Sequence, residues 1–163
     1  MRSVSYGVVL EIAEAETIAA VRAAAPIADI PRAWKPALDQ VWAFLKRNGQ
    51  LGPGHNLFLY HHPKIRTAPM DIDFGVQVAR PFEAEGSVRC VETPAGEVAS
   101  TVHIGPYDRL HDAHDAIHAW CAANNRKIGS ASWEIYGDWC DDPAKLETTI
   151  KYLLAAHQAW IAS

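Results

Sequence analysis

Cysteine is scarce in this chain. Three occur in 163 residues, Cys90, Cys121 and Cys140, widely spaced and odd in number. That argues against a disulfide framework or a thiolate zinc site, and for small buried thiols in a reducing cytoplasm. Excess charge is also missing. The net charge is −4, and the basic pairs Lys46-Arg47 and Arg126-Lys127 stand alone, so direct binding of nucleic acid is not expected. No apolar run approaches a membrane span, and the N-terminus lacks a signal-peptide pattern, so no membrane association is expected either. Gly52-Pro53-Gly54 is not followed by Lys-Ser/Thr and is no phosphate cradle. Ser100 and Ser130 have no nucleophile-elbow context, and no glycosidase-like carboxylate pair stands out.

What is present is an ordinary globular composition, 49% hydrophobic and 21% charged, with length for one domain or two small fused units. One segment stands apart. Trp133-Glu134-Ile135-Tyr136 places a carboxylate inside a short apolar, aromatic strand. An unpaired charge there costs several kcal/mol, so something is expected to compensate it, a cationic ligand or a reacting group first of all. Leu57-Phe58-Leu59-Tyr60 looks like a copy of that segment with Phe58 at the position of Glu134.

At this offset of 76 residues (136 − 60) the chain matches itself in register across a helix, a turn and a strand. Ala37 meets Ala113, Asp39 meets Asp115, Val41 meets Ile117, Phe44 meets Trp120, Asn48 meets Asn124 and Tyr60 meets Tyr136. In the first half, Tyr6–Ala13 and Thr17–Ala23 read as strands. A helix starts near Pro31 and Pro36, follows Leu38, Val41, Trp42 and Leu45, and ends at Asn48-Gly49, with Gly49 suited to a left-handed cap. Trp34, Trp42 and Trp120 read as core or helix surface. The boundary between pseudo-repeats 1–62 and 71–155 is expected in a linker over residues 63–70. In the second half, Ile72, Phe74, Val76 and Val78 give the cleanest alternation. Val88–Glu92 and Val98–His103 flank Thr93-Pro94-Ala95-Gly96, which reads as a hairpin turn. A second helix has Leu110, Ala113, Ile117, Trp120 and Cys121 on its apolar face, and strands at Trp133–Asp138 and Thr148–Leu154 follow. The fold class is therefore α+β: two strand-helix-strand-strand units, a mostly antiparallel sheet, helices on one face, and a ligand cleft where the units meet.

The chain resembles the GyrI-like effector-binding family. Met70-Asp71-Ile72-Asp73-Phe74-Gly75-Val76 and Thr93-Pro94-Ala95-Gly96-Glu97-Val98 carry the likeness, followed by His103-Ile104-Gly105-Pro106-Tyr107 and Trp133-Glu134-Ile135-Tyr136-Gly137-Asp138-Trp139. Asp142-Pro143-Ala144-Lys145-Leu146 completes it. The resemblance implies a single domain spanning 1–163 with a pocket between the repeats for bulky, often aromatic or cationic molecules, and no cofactor. It makes Glu134 the key pocket residue, with Tyr136, Tyr60, Tyr107 and Tyr152 as walls. Phe58 and Trp133 complete the expected ligand-binding set. There is no helix-turn-helix segment, so DNA binding is not expected. The resemblance also implies two alternatives: hydrolysis of strained, cyclopropane-bearing electrophiles through Glu134, or a protein partner such as gyrase or a regulator.

Residues two apart in a strand share a face, so Glu134 and Tyr136 point one way with Phe58 and Tyr60. A carboxylate among phenol rings suits a flat organic cation. Apolar surroundings would also raise the proton affinity of Glu134, which suits proton transfer near neutral pH. Binding and hydrolysis fit these residues equally. His111, His114 and His118 lie at i, i+3 and i+7 of one helix. Without a convergent fourth ligand they read as a polar helix flank, and no metal site is expected.

Overall fold

The computed structural model describes residues 6–65 and 67–156. Its elements run β1 (Val9–Ala13), β2 (Thr17–Ala25), α1 (Ile30–Arg47), β3 (Asn56–His61), β4 (Met70–Gln77), β5 (Arg89–Glu92), β6 (Gly96–Ile104), α2 (Leu110–Ala123), β7 (Ile128–Tyr136) and β8 (Glu147–Leu154). The strands form one antiparallel sheet in the order β1-β6-β8-β7-β3-β4-β2-β5. That order reads the same from both ends once each strand is matched to its repeat: β3 with β7, β4 with β8, β2 with β6, β5 with β1. The centre of symmetry lies between β3 and β7, where Phe58 faces Glu134 across the ladder.

The expected architecture holds, but the division into units moves. Residues 63–70 join β3 to β4, and these two strands pair with each other. Helix α1 packs on both β2 and β4. The first unit is therefore β2-α1-β3-β4, and its boundary with β6-α2-β7-β8 falls after Gln77. Two smaller expectations also change. Gly49 begins a short 3-10 turn, and the left-handed position is Gly52, at φ 65°. Pro36 sits inside α1, not at its start.

The Thr93-Pro94-Ala95-Gly96 segment is not a hairpin. β5 pairs with β2, while β6 pairs with β1 and β8. Turn-forming residues mark where a chain bends, not which strands then pair. Here the bend links opposite ends of the sheet, and it is tied to the neighbouring bend by Thr93 N–H to Glu16 O (2.9 Å) and Glu16 N–H to Thr93 Oγ1 (2.8 Å). Residues 14–16 likewise carry the chain from β1 to β2, between the same opposite ends. With two three-residue connections across its ends, the sheet must curl.

Curling explains the burial. Both helices lie on one face: α1 through Leu38, Val41, Phe44 and Leu45 over Ile72, Phe74 and Val76, and α2 through Ala113, Ile117 and Cys121 over Ala99, Ile150 and Tyr152. The opposite face closes on itself around Ile18, Ala20, Leu57, Leu59, Val98 and Trp133. β4 is thus buried on both faces. Gly75 leaves no room for a side chain there: an added Cβ would stand 2.9 Å from Ala19 O.

Asp73, on the same strand, is wholly buried on that inner face. Arg22 grips it with two hydrogen bonds (3.0 and 2.9 Å), and His61 Nε2 approaches to 2.7 Å. Burial pushes its proton affinity up, but the hydrogen bonds and charges of His61 and Arg22 outweigh that and bring its pKa to about 2. A depressed carboxylate contributes stability above its unfolded pKa, and that contribution is lost as pH falls toward 2. Because Arg22 is partly exposed, we expect about 1–2 kcal/mol after solvent screening. Unfolding measured from pH 5 to pH 2 should therefore lose stability faster for the parent than for Asp73→Asn. Parallel curves would refute the assignment.

Among the described residues no helix is long and apolar enough to cross a membrane.

Candidate ligand-binding cleft

The two helices flank a cavity of about 680 Å³ over the junction of β3 and β7. Helix α1 contributes Ile30, Trp34, Leu38 and Trp42, and β3 contributes Asn56, Phe58 and Tyr60. The turn before α2 brings Tyr107, and β7 with its exit brings Glu134, Tyr136, Asp138 and Trp139. Local geometry places each of these. Trp34, Leu38 and Trp42 recur every four residues along α1, beside its buried stripe. Phe58, Tyr60, Glu134 and Tyr136 share the helix-side face of paired strands. Tyr107 follows Gly105, whose φ of 143° lets the chain turn out of β6.

The aromatic rings form a continuous wall. Phe58 meets Tyr136 edge-on at 4.9 Å between centroids, and Tyr107 meets Tyr136 at 5.4 Å and 88°. Trp34 stands 6.4 Å from Phe58. Trp42 donates from Nε1 to Asn56 Oδ1 (2.9 Å), which ties α1 to β3 at the edge of the cavity. At the rim, His55 Nε2 lies 2.7 Å from Asp138 Oδ1. The lining holds two carboxylates and neither lysine nor arginine.

Glu134 forms the floor, 5% exposed. It is not unpaired, as its surroundings in the sequence suggested. Tyr60 donates to its Oε1 at 2.5 Å and Tyr136 at 2.7 Å, and His114 Nε2 stands 2.7 Å from Oε2. The direction of its proton affinity follows. Burial alone would raise it, but the His114 hydrogen bond and charge and the two phenols together bring it below the ordinary glutamate range. The expectation of a raised pKa is thereby corrected. The group is held ionised, and both tyrosines pay for it, with their own phenol pKa values driven well above 10 by burial and by the adjacent carboxylate.

Of the residues singled out in the sequence, Glu134, Tyr136, Tyr60, Phe58 and Tyr107 meet in this cavity. Two do not. Trp133 points to the other face of the sheet, into the inner core, because neighbours on a strand alternate. Tyr152 lies behind the floor, where its hydroxyl is 2.6 Å from His114 Nδ1. His114 was read as a polar flank and is instead the partly buried partner of Glu134. The offset of 76 contains the signal that reveals it: Leu38 corresponds to His114 (114 − 38) just as Phe58 corresponds to Glu134 (134 − 58). The first unit has an apolar pair where the second has a hydrogen-bonded polar one. Among the described residues no cluster of metal-ligating side chains occurs.

Residues 8–154 match the GyrI-like small molecule binding domain. The chain belongs to that family. Solved structures of similar fold accompany the match. The GyrI-like chain aligns with the C-terminal domain of EcmrR at 22% identity and TM-score 0.74, covering 93% of this chain and 99% of that one. It aligns with SAV2435 bound to tetraphenylphosphonium at 14% identity and TM-score 0.69, covering 96% and 97%. A hydrolase encoded by lin2189 from Listeria innocua aligns at 11% identity and TM-score 0.63, covering 91% of each chain. At these identities the likeness establishes the GyrI-like fold. A comparison with curated protein sequences finds no match.

Proposed function

We propose that this GyrI-like chain binds bulky aromatic cations in its cleft, with Glu134 as the ligand's countercharge. The observation that carries the reading is an ionised carboxylate at the floor of an aromatic cavity with neither lysine nor arginine in its lining. Each ring face offered to a cation contributes about 0.5–2 kcal/mol, and the carboxylate acts through a medium far less polarisable than water. The volume suits a drug-sized ligand. The complex of SAV2435 with tetraphenylphosphonium supports the same ligand class.

The hydrolytic reading called for a carboxyl whose pKa lay near neutrality. Glu134 is shifted the other way, so binding is favoured over proton transfer at this carboxyl. Tetraphenylphosphonium and tetraphenylborate share a shape and differ in the sign of their charge, which makes them a direct test. The cation should raise the melting temperature by several degrees at ten times its Kd, and the anion should leave it unchanged. Equal shifts from the two ions would mean that the cleft reads shape alone.

A further inference from the structure

The hydroxyl hydrogens on the cleft floor are all committed. A phenol has one proton to donate, and an ionised carboxylate has none. Tyr60 donates its proton to Glu134 Oε1 at 2.5 Å, and Tyr136 donates its own to the same oxygen at 2.7 Å. The third contact, from His114 Nε2 at 2.7 Å, falls on Oε2. Neither phenol therefore has a hydrogen left for the other or for a ligand. Among the described residues no donor is bonded to either phenol oxygen. Tyr60, Glu134 and Tyr136 all line the cavity, and both tyrosines are partly exposed. Together these three side chains offer a ligand acceptors alone.

Such a floor treats two kinds of cation differently. A quaternary cation satisfies the charge. It also takes solvent from the phenol oxygens and returns no hydrogen bond, and a buried acceptor left unpaired is costly. A cation that carries N–H groups balances the charge and pairs the acceptors together, through charge-assisted bonds. We propose that the cleft selects flat aryl cations with N–H donors, amidinium or guanidinium, whose head bonds the phenol oxygens of Tyr60 and Tyr136. The aromatic body then lies along Phe58, Trp34 and Tyr107. This rests on the proposed binding of cations at Glu134 and adds which cations the site prefers.

The duplicated scaffold gives the head one place only. Phe58, which corresponds to Glu134, is also its cross-strand neighbour and has no acceptor. Phe58 meets Tyr136 at 4.9 Å between centroids, and Trp34 stands 6.4 Å from Phe58, so apolar surface begins directly beside the acceptors. A ligand with a polar head and a flat apolar body matches that division. A cation wrapped in hydrocarbon on every side does not use it.

Two ligands test this. Biphenyl-4-carboxamidinium and N,N,N-trimethylbiphenyl-4-aminium share a body and a charge, and only the first has N–H groups. Rings and charge alone favour the second, because a quaternary head is less hydrated and leaves water more easily. Titration calorimetry near neutral pH should show the reverse, with the amidinium bound about tenfold more tightly. Proton NMR of that complex should show amidinium N–H resonances slowed in their exchange with water. Glu134→Gln separates the phenol oxygens from the countercharge, since the amide carbonyl still accepts from both tyrosines. Both cations should lose affinity in this variant, and the amidinium should remain the preferred one. A quaternary ion that binds as tightly as the amidinium overturns the inference. So do freely exchanging N–H groups in the complex, or a preference that vanishes in Glu134→Gln. Tetraphenylphosphonium has no N–H and reports on the site separately. If it binds while the quaternary biphenyl matches or beats the amidinium, only the donor preference falls. If none of the three cations binds, the proposed function falls as well.

Discussion

Glutamine at position 134 should weaken tetraphenylphosphonium binding by about thirty- to a hundredfold, a loss of about 2–3 kcal/mol. Glutamine matches the shape of glutamate and its carbonyl still accepts from Tyr60 and Tyr136, so the aromatic wall keeps its geometry. What disappears is the negative charge at the floor, where 5% exposure leaves little water to screen it. The residual affinity measures the aromatic rings alone. The amide NH₂ would face His114 Nε2, now without its acceptor, so the melting temperature should fall by a few degrees as well. Titration of folded variant and parent chain side by side settles the matter. Affinities within twofold of each other would remove Glu134 from the recognition of charge.

Trp133 should produce the largest change in stability and almost none in binding. It is 1% exposed among Ile18, Ala20, Leu57, Leu59 and Val98, on the face away from the cleft. Trp133→Ala is expected to cost about 3–5 kcal/mol, from lost transfer energy and the cavity left behind. For a chain of this length that is about 10 °C or more in melting temperature. Trp133→Phe should cost far less than the alanine variant. The indole N–H has no hydrogen-bond partner, so phenylalanine loses packing volume but also removes a buried unsatisfied donor. Tetraphenylphosphonium affinity of the folded Phe variant should stay within about twofold of the parent. A tenfold loss there would return Trp133 to the site.

The contrast between Trp133 and its neighbour shows what could be read from residues alone. A period of two separates Trp133 from Glu134 with certainty once the strand is recognised, and the same parity places Phe58, Tyr60 and Tyr136 on one side. The repeat and the strands were legible because they rest on local spacing. The hairpin at Thr93-Pro94-Ala95-Gly96 failed because pairing between β5 and β2 is decided by the curl of the whole sheet. His114 was hidden for a related reason. Its helix displays three histidines, and only the packing of α2 on β6 and β8 selects the one that reaches Glu134. Comparing unlike positions in the duplicate, Leu38 with His114, would have found it. The match of like positions drew attention to the scaffold, while the departures from it carried the chemistry.

The palindromic strand order has a structural consequence of its own. Each repeat begins with a strand, β1 or β5, that it does not keep: β1 lies beside β6 and β5 beside β2. The two modules hold each other by a reciprocal handshake inside a single polypeptide. Severing the chain between Gln77 and Arg89 would leave two fragments, each with an open seat that only the other's leading strand fills. They are built to reassemble as a pair, each supplying the strand that completes the other's edge.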